Sequence, residues 1–238
     1  MNDRTSFDQA RSAMMVAHER NTSLCDPFLS AFPVSGAALS ILAGPSAQTT
    51  VCSSDSIAAR LDELQFDLGE GPCWQALATH TPVIADSLTG HIAQAWPIFT
   101  EAVQSDRSSS SVVAMYAFPM AIGSLEIGAV DLYATVSQKF TPTQVADAAS
   151  LASLAAWQVL RKILNFNESD VSADFDDSRS SRREIHQATG MVLAQLDISA
   201  ADAALLIRAH AFATGRSVRE VSTDVVERRL NFSPKGQP

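Results

Sequence analysis

The sequence predicts an α+β fold for its first two thirds and an all-helical fold for its last third. Short apolar, strand-like runs alternate with helical segments up to residue 166, whereas only helical periodicity follows. The two parts are separated by residues 167–177, an acidic, serine-rich stretch whose composition is typical of a linker. Because 46% of the 238 residues are hydrophobic and 18% are charged, the chain can bury a sizeable core.

The first part is expected to begin with a helix within residues 1–21. Phe7, Ala10, Met14 and Ala17 recur there at helical spacing. Two prolines in the segment CDPFLSAFPVSG then interrupt the helical pattern. The segments that follow predict strands at 36–44, 49–55 and 82–88, and short helices at 56–65, 73–80 and 96–105.

A strand pair and a long helix close the first part. Residues 111–120 and 124–134 are apolar, and the Ile-Gly between them suits a tight hairpin, which predicts an antiparallel sheet. Thr141 can cap, and Pro142 can open, a helix over residues 142–166. Its apolar stripe suits a partner helix, so we expect a homodimer. The stripe comprises Leu151, Leu154, Trp157 or Val159, and Ile163.

The last third contains three predicted helices. The first covers residues 181–196, with apolar residues on one face. Ser199 is a suitable N-cap for the second helix, and Gly215 is placed to end it. Ser217 and Glu220 have the S-x-x-E spacing of a capping box and predict the start of the third helix.

Charge is distributed unevenly along the chain. The net charge is −9, yet residues 178–238 contain nine Lys/Arg and six Asp/Glu, while residues 1–177 contain eight Lys/Arg and twenty Asp/Glu. A basic end on an acidic chain is a recognised sign of nucleic-acid contact. Screening restricts charge effects to roughly 8–10 Å at physiological salt, so the acidic part does not prevent phosphate binding at the basic end.

The cysteines and the apolar runs indicate the compartment. Cys25, Cys52 and Cys73 are odd in number and form no CxxC pair, which argues against a disulfide framework or a zinc site. No apolar run approaches the roughly 18–20 residues of a membrane helix, and the N-terminus lacks the apolar core of a signal peptide. We therefore expect a cytoplasmic protein with no membrane association.

Residues 22–166 resemble a bacterial GAF domain of the kind that precedes an ANTAR domain. The resemblance rests on LGEGPCWQAL, PVIADSL, AWPIF, VVAMYAFPM and IGAVDLYATVSQKFTPTQ, in that order. It implies a sensory fold with a GAF-like antiparallel sheet flanked by helices, ending in a long connecting helix. The implied partner is a small-molecule ligand of unknown identity.

Residues 178–232 resemble the ANTAR domain, a three-helix RNA-binding module of transcription antiterminators, and residues 233–238 would be a tail. Thr189 and Ser222 stand where the family usually has Lys and Ala. The positions that match the family pattern are Arg182, Ile185, Ala188, Gly190, Asp202, Ala203, Ile207, Arg208, Arg216, Val218 and Val221.

The resemblance implies that the chain binds antiterminator RNA hairpins. Arginine suits this role because its planar guanidinium pairs with phosphate in a bidentate geometry. An ordinary solvated helix surface is the alternative for each arginine taken singly. The residues that we expect to bind RNA are Arg182, Arg183, Ala188, Gly190, Arg208, Arg216, Ser217 and Arg219. Phe212 and Phe232 offer no obvious stacking platform, since both fit a small core equally well.

The stretch DLGEGPCWQAL is the best candidate for a ligand pocket or an active site. Gly69 and Gly71 predict a tight turn with positive φ, and no P-loop signature follows. Cys73 is expected to be part of a packed wall or a ligand or redox-sensing contact, because no Asn or Asp that could orient a base such as His80 is evident. The residues that would line a pocket are Glu70, Cys73, Trp74 and Trp96.

Two other functions fit parts of the sequence. A helix-turn-helix DNA-binding regulator would use SVREVSTDVVERR as its recognition helix. A thiol-dependent enzyme would use Cys73 as its nucleophile. The histidines are scattered without metal-ligand spacing, so we expect no metal ion. We also expect no cofactor and no catalytic residue.

Overall fold

The computed structural model describes residues 2–42, 48–137, 139–164 and 176–233. The chain divides into two compact units, residues 1–170 and 171–238. Of the expected linker at 167–177, only Asp176 and Asp177 lie within the described residues, and they begin a helix.

The first unit alternates helices and strands. They are α1 (Asn2–Arg20), α2 (Asp26–Ala31), β1 (Gly36–Leu42), β2 (Gln48–Ser53), α3 (Ser56–Leu68), α4 (Pro72–Thr79), β3 (Val83–Ala85), α5 (His91–Ala95), α6 (Pro97–Ser105), β4 (Ala114–Ile122), β5 (Leu125–Ala134) and α7 (Pro142–Leu164).

The strands form one antiparallel sheet in the order β2-β1-β5-β4-β3. The expected hairpin joins β4 to β5, with Ile122 paired to Leu125 across a two-residue loop. Gly123 in that loop has φ +61°, a conformation that a glycine adopts without a steric cost. The predicted antiparallel α+β fold is therefore confirmed.

Helices cover both faces of the sheet. Successive strand residues point to opposite faces, so neighbouring residues of β4 belong to different cores. Tyr116 and Phe118 of β4 join a core with α1, α2 and α7. Met115, the neighbour of Tyr116, joins a second core with α3, α4 and α6. Thr141 caps α7 as expected, because its Oγ1 accepts a hydrogen bond from the backbone N–H of Gln144 at 3.2 Å.

Two short helices of this unit were not predicted. In α2, Pro27 lies in the first turn, where a missing N–H breaks no helical hydrogen bond, so the proline begins a helix instead of preventing one. The segment His91–Ala95 forms α5 between β3 and α6, both of which the sequence predicts. Elements this short carry too few residues for a periodic pattern.

The structure corrects the expectation that the cysteines stay unpaired. Cys25, at the start of α2, and Cys52, on β2, form a disulfide with Cα atoms 6.2 Å apart. They are 27 residues apart in sequence, and only the packing of α2 beside the sheet brings them together. Cys73 is a free, buried thiol.

The second unit consists of α8 (Asp176–Leu196), α9 (Ala200–Thr214) and α10 (Val218–Val226). Its core is small and aliphatic. Ala188, Val192, Ala203, Ile207, Ala211, Val218, Val221 and Val225 are its buried members. None of the helices in the described part of the chain is long and apolar enough to cross a membrane.

Helix α8 begins at Asp176, five residues before its predicted start, whereas the predicted ends of α9 and the predicted start of α10 are confirmed. The Ser199 Oγ accepts a hydrogen bond from the Asp202 backbone N–H. Gly215 ends α9 with φ +63°, and Ser217 and Glu220 form a complete capping box at the start of α10. These local signals operate within a few residues, so they can be read from sequence alone.

Candidate functional site

The DLGEGPCWQAL stretch is a turn between two helices. Gly69 ends α3 with φ +63°, and Gly71 has φ +137° immediately before Pro72 opens α4. A Cβ on Gly71 would lie 2.7 Å from the Gln65 side chain, so both space and backbone conformation demand glycine there. The predicted tight turn with positive φ is confirmed.

Glu70, at the tip of this turn, caps another helix. Its Oε1 accepts hydrogen bonds from the backbone N–H groups of Ile98 at 2.9 Å and Phe99 at 3.1 Å. These are among the first N–H groups of α6, which have no partner within the helix. The carboxylate therefore fastens the turn to α6, a contact that the sequence did not predict.

Cys73 lies behind the turn and is buried. Its backbone N–H donates to the Gln65 Oε1 at 2.9 Å. Burial raises the pKa of the Cys73 thiol well above its usual range, and the carboxyl groups of Asp131 and Asp62 raise it further. The thiol is therefore a poor nucleophile, since nucleophilic attack requires the thiolate.

Of the two tryptophans expected to line a pocket, Trp74 lies in α4 and Trp96 lies immediately before α6. Trp74 is half-buried, and its Nε1 donates to the Gln65 backbone carbonyl at 2.7 Å. Trp96 is buried just before α6, in the same core as Phe99. Gln65 thus holds both Cys73 and Trp74 through hydrogen bonds to separate atoms.

Sequence reasoning missed a buried polar cluster beneath this turn, which comprises Ser40, Asp62, Gln65 and Asp131. Asp62 Oδ1 accepts from the Ser40 hydroxyl at 2.7 Å, and Asp131 Oδ2 accepts from Gln65 Nε2 at 3.1 Å. The other carboxylate oxygen of Asp131, Oδ1, is buried without a hydrogen-bond partner. An aspartate inside the apolar run IGAVDLYA was the available signal.

The environment of Asp131 favours its neutral form. Burial raises the pKa of its carboxyl well above the usual range, the charge of Asp62 raises it further, and the hydrogen bond from Gln65 opposes the increase. Asp62 has two hydroxyl donors, since Thr50 Oγ1 also lies 2.5 Å from its Oδ2. The Asp62 carboxylate therefore accepts hydrogen bonds from two hydroxyl groups, whereas the Asp131 carboxyl accepts one from the Gln65 amide.

In the second unit, three of the expected RNA-binding residues lie at the start of α10. Arg219 is exposed, and the Ser217 hydroxyl and the Glu220 carboxylate cap the helix. The Arg216 guanidinium donates to the Asp224 Oδ2 at 2.6 Å and to the Glu220 carbonyl at 3.2 Å. The hydrogen bonds from Arg216 and then Arg229 lower the pKa of Asp224.

The remaining expected residues are distributed over α8 and α9. Ala188 is fully buried, so its side chain packs in the core and does not face a ligand. Gly190 lies on the exposed side of α8, with no atom within 4 Å of an added Cβ. Arg208 is half-buried on α9. Arg182 and Arg183 lie in the α8 backbone, and their side chains are outside the described residues.

Helix α8 lies along α10 and the residues that follow it. The Thr223 hydroxyl donates to Glu184 Oε2 at 2.9 Å, and the Phe232 backbone N–H donates to Gln195 Oε1 at 3.0 Å. The part of α8 near Glu184 therefore lies beside α10. In the described residues, no group of three or more His, Cys, Asp or Glu side chains is arranged to hold a metal ion.

Comparison with known proteins agrees with this division. Residues 173–226 match the ANTAR domain family. No curated protein matches the chain in sequence. Among solved structures, the GAF domain of a phosphoenolpyruvate-protein phosphotransferase from Coxiella burnetii has a TM-score of 0.52 at 11% identity, covering 69% of this chain and 98% of that chain. At this identity the likeness establishes the fold of the first unit.

Two further solved structures are similar at lower TM-scores. The GAF domain of the Acinetobacter phosphoenolpyruvate-protein phosphotransferase has a TM-score of 0.49 at 10% identity, covering 67% of this chain and 95% of that chain. A free methionine-R-sulfoxide reductase from Neisseria meningitidis, in complex with its substrate, has a TM-score of 0.47 at 13% identity, covering 69% and 92%.

The two units thus have separate identities. The first unit has the GAF fold. The second contains an ANTAR domain, which indicates an RNA-binding antitermination regulator. The chain therefore has a GAF–ANTAR architecture.

Proposed function

We propose that the chain is a cytoplasmic, dimeric regulator that binds antiterminator RNA hairpins and whose GAF unit responds to a ligand or partner. The observation that supports RNA binding best is the basic start of α10. Arg216 and Arg219 flank a helix N-terminus there, and Asp224 holds the Arg216 guanidinium in place. Helix N-termini and arginines both favour phosphate groups.

The RNA surface would extend from α10 onto α8 and α9. Gly190 offers open surface on α8 where an RNA backbone can approach closely, and Arg208 adds a cation from α9. Arg182 and Arg183 precede the part of α8 that lies beside α10. Hairpin loops suit such a surface, because their bases are unstacked and their phosphates are accessible.

Dimerisation would use the outward side of α7. Leu151 and Val159 are buried against the sheet, whereas Trp157 is 49% exposed and Leu164 is 73% exposed. The exposed or half-buried positions recur with alternating steps of three and four residues, the spacing of a coiled-coil seam. They are Ser150, Ser153, Trp157, Leu160 and Leu164. A second copy of α7 would cover this seam.

Signal reception would occur near the Gly69–Gly71 turn. Glu70 and Trp74 are half-buried there and are our proposed ligand contacts, with Cys73 and Trp96 forming the wall behind them. Ligand binding would bias the arrangement of the two ANTAR units through α7. Two linked weak RNA contacts would then gain affinity from their effective concentration.

We infer that the chain is not a thiol enzyme. The alternative requires a reactive Cys73, but this thiol is 1% exposed and its pKa is raised. Thiol labelling across pH tests the inference. Slow labelling that follows unfolding is expected, and rapid stoichiometric labelling of the native chain below neutral pH would contradict it.

An electrophoretic mobility shift with paired short-loop RNA hairpins tests RNA binding. The native chain should bind at low salt, and Arg208→Ala should bind more weakly. Arg107→Ala is the matched control, because it removes one exposed arginine from the GAF unit. Absence of a shift at low salt, or duplex DNA outcompeting the hairpins, would overturn the proposal.

The compartment has its own test, because a Cys25–Cys52 disulfide is more typical of oxidising compartments. Fractionation of cells with an antibody against the chain should place it in the cytoplasm. Acid quenching followed by alkylation would measure how much of the Cys25–Cys52 pair is oxidised there. Recovery of the chain mainly outside the cytoplasm would contradict the proposed location.

A further inference from the structure

Helix α9 is apolar on two opposite faces. Ala203, Ile207 and Ala211 are buried in the core of the ANTAR unit. On the outward side, Leu205 is 62% exposed and Phe212 is 67% exposed. An apolar patch left exposed on a helix marks an interaction surface.

The outward face is continuous. It comprises Leu205, Leu206, Ala209, Phe212 and Ala213, all of them exposed. Of the two phenylalanines that fit a small core equally well in the sequence, Phe212 lies outside that core, whereas Phe232 is half-buried and packs against it. Unstacked RNA bases pack on aromatic side chains, but four of the five residues of this face are aliphatic, and the neighbouring cation, Arg208, lies at its border. Its composition indicates a protein partner.

We propose that this outward face of α9 is an interface between the ANTAR units of two copies of the chain. The face is complementary to itself when two α9 helices cross antiparallel at Ala209. Leu205 of one copy then lies opposite Ala213 of the other, and Leu206 lies opposite Phe212. The Leu205–Ala213 pair sets a large residue against a small one, and the contact has two-fold symmetry.

The distribution of charge supports the same antiparallel arrangement. Asp202 lies at the first turn of α9, whereas the Arg216 guanidinium after the last turn is already paired with Asp224. In the antiparallel pair, the two Asp202 carboxylates lie at opposite ends of the contact. A parallel pair would instead place the two Asp202 carboxylates together, and like charges at that distance repel.

The α9 face is too small to hold two copies together by itself. A helix of 15 residues is about 22 Å long, and a single helix pair buries less than the roughly 800 Å² per partner of a stable complex. The α9 contact therefore rests on the proposed dimer, in which α7 raises the effective concentration of the second copy. Its consequence would be a fixed spacing between the two RNA surfaces.

Symmetric crosslinking of the full chain tests this interface. Ala209→Cys places a thiol on the two-fold axis, where a short bis-maleimide should join two copies in high yield. Ala194→Cys, exposed on α8, is the matched control and should crosslink much less. Adding Phe212→Lys to Ala209→Cys should abolish the crosslink, because it buries two ammonium groups without partners.

Light scattering and hairpin binding, measured on the same samples, separate the possible failures. Equal crosslinking at residues 194 and 209, or none at 209 in a chain that is still dimeric, would overturn the α9 interface alone. If Ala209→Cys alone gives no crosslink and Phe212→Lys lowers the RNA affinity, this face binds RNA, which also overturns the α9 interface. A monomeric chain would overturn the proposed dimer and this interface together.

Discussion

At the residue scale, the buried carboxyls of the GAF unit are its most unusual feature. Asp131 is 5% exposed and has one carboxylate oxygen without a hydrogen-bond partner. Asp62, only slightly more buried, accepts hydrogen bonds from two hydroxyl groups. The same residue type therefore has a different free-energy cost at the two positions, since unsatisfied buried groups are expensive.

Asp131→Asn should stabilise the chain near neutral pH. The folded-state pKa of Asp131 is raised, so the folded state holds this proton more tightly than the unfolded state, whose pKa is about 3.9. Stability is then lost as pH rises from that value through the folded pKa. The amide cannot ionise and should add roughly 1–3 kcal/mol at the upper end of this window, and little below it.

Urea unfolding at several pH values measures the effect. Asp62→Asn is the contrasting variant, because it replaces an acceptor of two hydroxyl hydrogen bonds and should destabilise the chain at neutral pH. If the free energy of unfolding varies with pH in the same way in Asp131→Asn and in the native chain, Asp131 ionises normally and the prediction is wrong.

Arg219 provides a residue-level test of the RNA surface. If it contacts a phosphate, Arg219→Ala should lower the slope of log K against log salt by about 0.7–1 and weaken all hairpins similarly. Binding titrations at several salt concentrations give the slope. Arg107→Ala, in the other unit, should leave it unchanged, and equal slopes for all three proteins would remove Arg219 from the surface.

At the element scale, short-range signals decide where the ANTAR helices begin. Ser217→Ala removes the side chain that accepts the Glu220 N–H and should cost about 1 kcal/mol of unfolding free energy. Ser217→Thr retains a capping hydroxyl and should restore most of that loss. A greater loss of RNA affinity in Ser217→Ala than in Ser217→Thr, at equal folded fraction, would indicate a direct RNA contact as well.

The disulfide acts between elements, joining the start of α2 to the edge strand β2. Cross-linking residues 27 positions apart should contribute about 3–4 kcal/mol by restricting the unfolded chain. The double variant Cys25→Ser, Cys52→Ser should lose that amount under non-reducing conditions. Under reducing conditions, the variant and the native chain should have nearly equal free energies of unfolding. An equal difference between them with and without reductant would show that the loss comes from packing of the serines.

At the scale of the whole molecule, α7 connects the sheet to the proposed dimer. Trp157→Glu should convert the dimer to a monomer, because it places a charge on the seam without disturbing the sheet-facing side, where Leu151 is buried. Sedimentation velocity would report the change in mass. The monomer should keep its affinity for a single hairpin but lose the added affinity for a hairpin pair.

Ser153→Glu, one seam position before Trp157, provides a graded version of the same test. Ser153 is small and exposed, so its replacement removes no apolar contact and should weaken the dimer less than Trp157→Glu does. A Trp157→Glu chain that remains dimeric would exclude the α7 seam as the main interface.

Sequence alone determined the features that depend on near neighbours. The capping box at Ser217, the glycine at 215 and the hairpin at 123 follow from local backbone chemistry, and the charge change near residue 177 needs only composition. The tertiary structure decided the rest. It paired Cys25 with Cys52, directed Glu70 onto α6, buried Asp131 and left Phe212 exposed. Each outcome depends on which distant elements pack together, and a linear pattern does not contain that information.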